Sequence, residues 1–362
     1  MGNSPPSSSL PSKNEKLGSS KSNIIKFISE GIFKSPIFQK KDKKPDFLKK
    51  SRYCLRCQIF FMNMRDHEHH KEEVITIEDS LLKKFEFISL LGSGTYGRVF
   101  KVIDLEDSLM KALKYIPLTK GKTEEIDLDI IKTLYHDNII RYFRSEKIAK
   151  KKYCYILMEL ADMDLSEYIR SEHLLKNFMK YDLVYQIATA IDYLHNGTGK
   201  PSIIHRDLKP QNILIVDHKP KITDFGTSKI KSSKNPILIS KVQGVAGTEF
   251  YIPPELQRTM NDEFVICNDK HDIWSFGIIV HQIFANNKHP FNLENSGDWK
   301  IKMMLGEYTI DPTILKGSLA HEIITGCLKE DLNTRNNIRE ILMLIKNKSN
   351  HCFFLFLLNL NF

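Results

Sequence analysis

No stretch of this chain restricts its folding and chemistry more than His205-Arg206-Asp207-Leu208-Lys209-Pro210-Gln211-Asn212. It sets a carboxylate, an ammonium and an amide close together. A carboxylate can take a hydroxyl proton, an ammonium can neutralise phosphate charge, and an amide oxygen can hold a hard metal ion. Further on, Asp224-Phe225-Gly226 supplies a second carboxylate followed by a residue free to turn sharply. Upstream come Gly92-Ser93-Gly94-Thr95-Tyr96-Gly97-Arg98-Val99 and then Ala112-Leu113-Lys114. A glycine run of this kind is by itself a plain turn or a dinucleotide loop as readily as anything else. Four such motifs in this order are a far more specific signal.

The surrounding pattern gives the motifs their setting. Phe85 to Leu90 predicts a strand entering the glycine run, and Val99 to Ile103 a second strand leaving it. A glycine run between two strands, not between a strand and a helix, argues against a dinucleotide-binding loop. Met110 to Lys114 alternates as a third strand and puts Ala112 and Lys114 on one face. Later, Leu183, Val184, Ile187, Ala188, Ile191 and Leu194 recur at helical spacing, and Ile273 to Phe284 is apolar nearly all round, as a buried helix should be.

With these motifs the chain resembles the eukaryotic protein kinase family over roughly residues 81 to 347. The resemblance implies an α+β, bilobal kinase fold. A β-rich N-lobe with helix C would span 81–160, and a mainly helical C-lobe 161–347. It implies a Ser/Thr protein kinase using ATP and magnesium, with protein hydroxyls as substrates. Leu91, Gly92, Ser93, Gly94, Thr95, Tyr96, Gly97, Arg98 and Val99 would cover the nucleotide. Ala112 and Lys114 would face it, Lys114 holding the α/β-phosphates. Met158 would be the gatekeeper, backbone groups of Glu159 and Ala161 would meet the adenine edge, and Asp164 the ribose. Asp207 would accept the substrate proton, Lys209 would neutralise the γ-phosphate, and Asn212 and Asp224 would hold magnesium. The acid paired with Lys114 falls at Asp127, where the family has glutamate, with Glu124 one turn earlier as the substitute.

Thr227, Ser228, Ser232, Ser233 and Ser240 are possible phosphate acceptors in the segment 224–255, and Arg206 is the kind of residue that pairs with an activating phosphate. Glu255 would pair with Arg335, and Asp272 would brace the catalytic-loop backbone. Lys209-Pro210 together with Thr248 resembles Ser/Thr-directed kinases. The shortened stretch after Ala161 and Gly247-Thr248-Glu249 resemble the inositol-requiring stress-sensor kinases. A reading from another class, a weakly active or inactive kinase-fold scaffold acting through binding, is motivated by aspartate at 127.

The flanks carry separate signals. Residues 1–52 hold 12 Lys or Arg against 4 Asp or Glu, so +8 of the total +9 sits there. Residues 1–51, rich in Ser, Pro and Lys, read as a disordered basic leader. A membrane contact through this leader is conceivable from Gly2, but Pro6 departs from the acylation pattern, and a solvated tail is the preferred reading. With the surplus confined to the leader, no specific nucleic-acid binding is expected. The segment 52–80 contains Cys54, Cys57, His67 and His70, enough ligands for a tetrahedral zinc site, and looks like the closing half of a B-box finger. Two incidental thiols and a histidine-rich turn fit the same residues. Six cysteines are too sparse for a disulfide scaffold, and a reducing cytoplasmic setting is expected. Residues 348–362 form a short apolar tail. The oligomeric state is not readable from this pattern.

Overall fold

The computed structural model describes residues 52–54, 59–61, 74–94, 97–118, 128–148, 153–171, 175–231, 237–240, 249–258, 264–291, 299–306 and 316–358. The chain opens with three short strands, β1 (Arg52–Cys54), β2 (Ile59–Phe61) and β3 (Val74–Thr76), paired in the order β2-β1-β3, and a one-turn helix α1 (Asp79–Leu82). Next come β4 (Phe85–Gly94), β5 (Gly97–Asp104), β6 (Met110–Pro117), helix α2 (Leu128–Lys132), β7 (Tyr142–Ile148) and β8 (Tyr153–Met158). The last five strands form one antiparallel sheet, order β4-β5-β6-β8-β7.

Strand alternation sorts this sheet into two faces. Val99, Ala112, Lys114, Ile156 and Met158 point to a cleft. Phe100, Val102, Leu113, Tyr155 and Leu157 point the other way into a buried cluster. Left to water, that outer face would be a large exposed apolar patch. Tyr53, Ile77 and Leu81 cover it, each at most 2% exposed. The Tyr53 ring meets Phe100 edge-on at 6.2 Å, and Ser80 Oγ and the Tyr153 hydroxyl lie 2.8 Å apart. The segment 52–80 reads from sequence as a unit apart from the domain beginning at 81. Tyr53 and Ile77 of that segment instead share the domain's core, covering its aromatic outer face. Tyr53→Ala is expected to cost about 3 kcal/mol, the range for deleting a buried ring, measured by denaturant unfolding.

Beyond β8 the chain becomes mainly helical. Strand β9 (Met163–Asp164) leads into α3 (Leu165–Ser171) and the long α4 (Asn177–Asn196), whose buried residues include all six positions expected from the helical spacing. Short strands β10 (Ile203–Ile204), β11 (Ile213–Val216), β12 (Lys219–Ile222) and β13 (Lys229–Ile230) frame the functional loops. Strand β14 (Ile237–Ser240) pairs with β15 (Phe264–Cys267), on either side of α5 (Pro254–Arg258). Helix α6 (Lys270–Phe284) is buried on nearly every side, as its uniform apolarity predicts. Helices α7 (Trp299–Leu305), α8 (Leu319–Cys327) and α9 (Ile338–Leu358) complete the lobe. Helix α9 continues into the expected tail region, so backbone hydrogen bonding extends to Leu358. Among the described residues no helix is long and apolar enough to cross a membrane.

Cys54 lies on β1, whereas Cys57, His67 and His70 fall outside the described residues, as do Thr95, Tyr96, Glu124 and Asp127. Among the described residues no group of His, Cys, Asp and Glu has the arrangement of a metal site of that kind.

Candidate active site

A tight local network shapes the loop after β10. The Asp272 carboxylate, 1% exposed at the start of α6, accepts the backbone N–H of His205 at 2.9 Å and of Arg206 at 2.8 Å. His195 Nε2 donates to the same carboxylate at 2.8 Å. Burial pushes the Asp272 pKa up, but these donors outweigh it and hold the carboxyl below its ordinary range. Asp272 thus braces the loop as expected, and it does so where bracing is needed. Arg206 has φ 71°, a left-handed conformation that costs a side-chain-bearing residue about 1–3 kcal/mol.

The bracing aims three side chains at one spot. Asp207 Oδ2 accepts Lys209 Nζ at 2.9 Å and Asn212 Nδ2 at 3.0 Å, and Asn212 Nδ2 also donates to the Asp207 carbonyl at 2.8 Å. With its amide nitrogen used twice on Asp207, Asn212 turns its amide oxygen away from that loop. Across the cleft, His205 Nε2 donates to the Thr223 carbonyl at 2.9 Å, which anchors the residue before Asp224. Asp224 also sits in the left-handed region, φ 64°. The Phe225 ring is buried, 5.0 Å from His205 and 6.1 Å from Tyr142. With the aromatic ring locked inward, the preceding carboxylate faces the cleft. Asp224 Oδ1 meets Lys114 Nζ at 2.6 Å. Burial raises the Asp224 pKa, and the Lys114 ammonium more than compensates, leaving the carboxyl below its ordinary value.

The sheet supplies the roof. Gly94 and Gly97 pair across the turn between β4 and β5. Gly97 has φ 138°, and a Cβ there would run into the Tyr115 carbonyl, so glycine is obligatory at this position. Below lies a cavity of about 430 Å³ lined by Leu91, Gly92, Val99, Ala112, Lys114, Met158, Glu159, Ala161, Asp164, Asn212 and Asp224 among others. Of the other described positions that the sequence motifs single out, Ser93, Gly94, Gly97, Arg98, Asp207 and Lys209 do not line it. The Glu159 amide donates to the Arg141 carbonyl at 2.9 Å, so that N–H is already engaged within the protein. Asp164 Oδ1 caps α3 by accepting the Glu167 N–H at 2.8 Å, a structural duty the sequence reading did not foresee.

Sequence reasoning also passed over Tyr142, Leu214 and Thr223, which line the same cavity. At Leu214 the apolar run Ile213–Val216 was legible as a strand, but only the fold, where it alternates buried and half-buried, turns Leu214 toward the cleft. Tyr142 carried no such signal. Of the possible phosphate acceptors, Thr227 Oγ1 donates to the His205 carbonyl at 3.1 Å and buried Ser228 Oγ does so at 3.4 Å, so both hydroxyls are engaged by the loop they would regulate. Ser240 lies on β14, whereas Ser232, Ser233, Gly247 and Thr248 fall outside the described residues.

The pair between Glu255 and Arg335 forms, with Nη1 to Oε1 at 2.7 Å and Nη2 to Oε2 at 2.9 Å. Beside it lies buried His271, whose Nδ1 accepts the Asn268 N–H at 3.3 Å. Burial pushes the His271 pKa from 6.5 down to about 4, with Glu255 pulling it back up and Arg335 pushing it down. The unfolded chain takes up this proton near pH 6.5, the folded chain only near 4. The contribution of neutral His271 is therefore complete above 6.5 and drains as the pH falls toward 4, by up to ~3 kcal/mol. Melting temperature against pH should drop more steeply in that window for the native chain than for His271→Asn.

Comparison with known proteins agrees with the geometry. A family model described as protein kinase domain matches residues 85–344. The chain is 31% identical to calcium-dependent protein kinase 5 of Plasmodium berghei, over 75% of this chain and 47% of that protein. It is 30% identical to a probable serine/threonine-protein kinase, nek3, of Dictyostelium discoideum, over 73% of this chain and 23% of that one. An Aurora kinase of Eremothecium gossypii is 30% identical over 73% of this chain and 69% of its own length. The chain thus spans half or less of the first two relatives.

Proposed function

This chain belongs to the protein kinase family, and from that premise we propose that it transfers the γ-phosphate of ATP to serine and threonine hydroxyls of protein substrates. One observation carries the reading: Lys114 from the N-lobe sheet meets Asp224 beside Asn212 in the lining of one cleft, and Asn212 ties Asp207, itself bonded to Lys209, to that lining. Charged groups half-withdrawn from water are costly unless paired, and here each cation has its carboxylate, Lys114 with Asp224 and Lys209 with Asp207.

Asp207 orients the substrate hydroxyl and accepts its proton, its Oδ2 held by Lys209 and Asn212. Lys209 lies beside the proton acceptor and offsets charge on the transferring group. Lys114 meets the α/β-phosphates, exchanging part of its contact with Asp224 for them. Asp224 and the outward amide oxygen of Asn212 are hard oxygen donors of the kind magnesium takes, and these two residues would hold it. When bound, magnesium would supply positive charge that offsets the phosphates' negative charge. Apolar Val99, Ala112 and Leu214 sandwich the base.

The serine/threonine preference rests on Lys209-Pro210 and on the names of the relatives. A cytoplasmic setting is in keeping with Cys154 and Cys327, both buried free thiols. Zinc at Cys54, Cys57, His67 and His70 stays a proposal for metal analysis of the full chain; less than one zinc per chain would remove it. The transfer reading is tested with labelled ATP, a mixed protein substrate and identification of the labelled residue. Label on serine or threonine supports it. Nucleotide binding without transfer would favour a kinase-fold scaffold, and label on tyrosine alone would overturn the substrate class.

A further inference from the structure

The cleft's rear wall is fastened by a clasp that none of the catalytic motifs contains. Lys221 Nζ on β12 reaches both carboxylate oxygens of Glu159, at 2.8 Å and 3.0 Å. The Arg141 N–H donates to Glu159 Oε1 at 2.7 Å, and the Glu159 N–H donates back to the Arg141 carbonyl at 2.9 Å. The hinge residue is thus gripped at its backbone and at its side chain. The ion pair is largely withdrawn from water, its side chains 16% and 18% exposed, so it is screened far less than a surface pair.

The grip reaches across both lobes. Ile139 and Ile222 form a parallel bridge, the Ile140 N–H donates to the Ile222 carbonyl at 2.9 Å, and the Ile222 N–H donates to the Asn138 carbonyl at 2.9 Å. Asn138 Nδ2 adds a bond to the Pro220 carbonyl at 3.0 Å. Segment 138–141, the hinge and β12 therefore make one hydrogen-bonded piece. β12 leads directly to Thr223 and Asp224. Glu159 lines the cavity, whereas Lys221 is not among its lining residues.

We propose that Lys221 is a positioning residue for the nucleotide. Through the Glu159 carboxylate it fixes the hinge backbone, so that the Glu159 carbonyl stands ready for the adenine edge at a set distance from Asp224. This rests on the ATP-binding reading given above. The physical gain is preorganisation: a hinge already ordered in the binding geometry loses little freedom when the base docks.

The test uses the full chain and titrates Mg-ATP by calorimetry alongside initial-rate kinetics. Lys221→Met should weaken Mg-ATP binding and raise KM about tenfold while kcat stays within about twofold. Lys221→Arg, whose planar fork suits a carboxylate, should restore most of the loss. Mg-tripolyphosphate, which lacks the base, should bind the native and Lys221→Met chains equally, a result that general misfolding would not give. Equal ATP affinity in native and Lys221→Met chains, or no rescue by arginine, overturns the inference alone. A raised kcat in Lys221→Met also overturns it, since the clasp would then restrain the lobes. A native chain that binds no Mg-ATP overturns this inference and the proposed function together.

Discussion

Asp207→Asn should leave folding and nucleotide affinity unchanged and cut phosphate transfer by about 10²–10⁴-fold, the usual worth of a positioned proton acceptor. The substitution keeps the side chain's shape and an oxygen for Lys209 Nζ and Asn212 Nδ2, the partners of the carboxylate in the native loop. The loop itself is held by Asp272 on the His205 and Arg206 amides, which the change does not touch. What disappears is the negative charge that orients a hydroxyl and receives its proton. Single-turnover rates with labelled ATP should fall with KM for ATP little altered, the signature of an interaction made in the transition state. Equal incorporation by both proteins would defeat the assignment, because the label would then come from another enzyme.

The second large effect concerns stability. Arg335→Ala should lower the unfolding free energy by about 3–5 kcal/mol, as breaking a buried ion pair does. Arg335 is 1% exposed and makes a forked contact with Glu255. It also donates to the carbonyls of Lys329 at 2.8 Å, Lys270 at 3.1 Å and Glu330 at 3.3 Å, and its guanidinium lies 5.0 Å from the centre of the Trp274 ring. Alanine strands the Glu255 carboxylate and three carbonyls and leaves a cavity. Glu255 keeps some access to water, which places the expected loss near the lower end, about 3 kcal/mol. Lysine cannot reproduce the fork, so Arg335→Lys should recover only part. An unfolding free energy lowered by less than about 1 kcal/mol would show that this bridge is not what anchors the end of the segment 224–255.

How far the site could be read from residues depended on how local each feature is. Asp207, Lys209 and Asn212 act within one short loop, and their mutual bonds follow from the spacing. Lys114 was legible as a cleft residue, because alternation with Ala112 settles which way it points. Its partner in the structure, Asp224, lies 110 residues away, and no pattern along the chain announces that contact. Glu159 was noticed for its backbone alone. Its side chain is tied to Lys221, 62 residues on, and an isolated lysine on a short strand looks like any solvated cation. Tyr53 was hidden in the same way: nothing near Cys54 says that an aromatic sheet face elsewhere lacks a cover.

By itself the amino-acid order determined the kinase family, the two-lobed architecture, and some of the side chains that line the cleft, Lys114, Asn212 and Asp224 among them. Periodicity and short motifs govern backbone shape over a few residues, where few alternatives compete. The bracing by Asp272 was foreseen, but only the tertiary structure decided the other contacts that hold those side chains in place: the cover over the N-lobe sheet and the Lys221 clasp on the hinge. Each joins residues far apart in sequence, and such pairs form only when folding of the whole domain offsets the entropy of closing the loop between them.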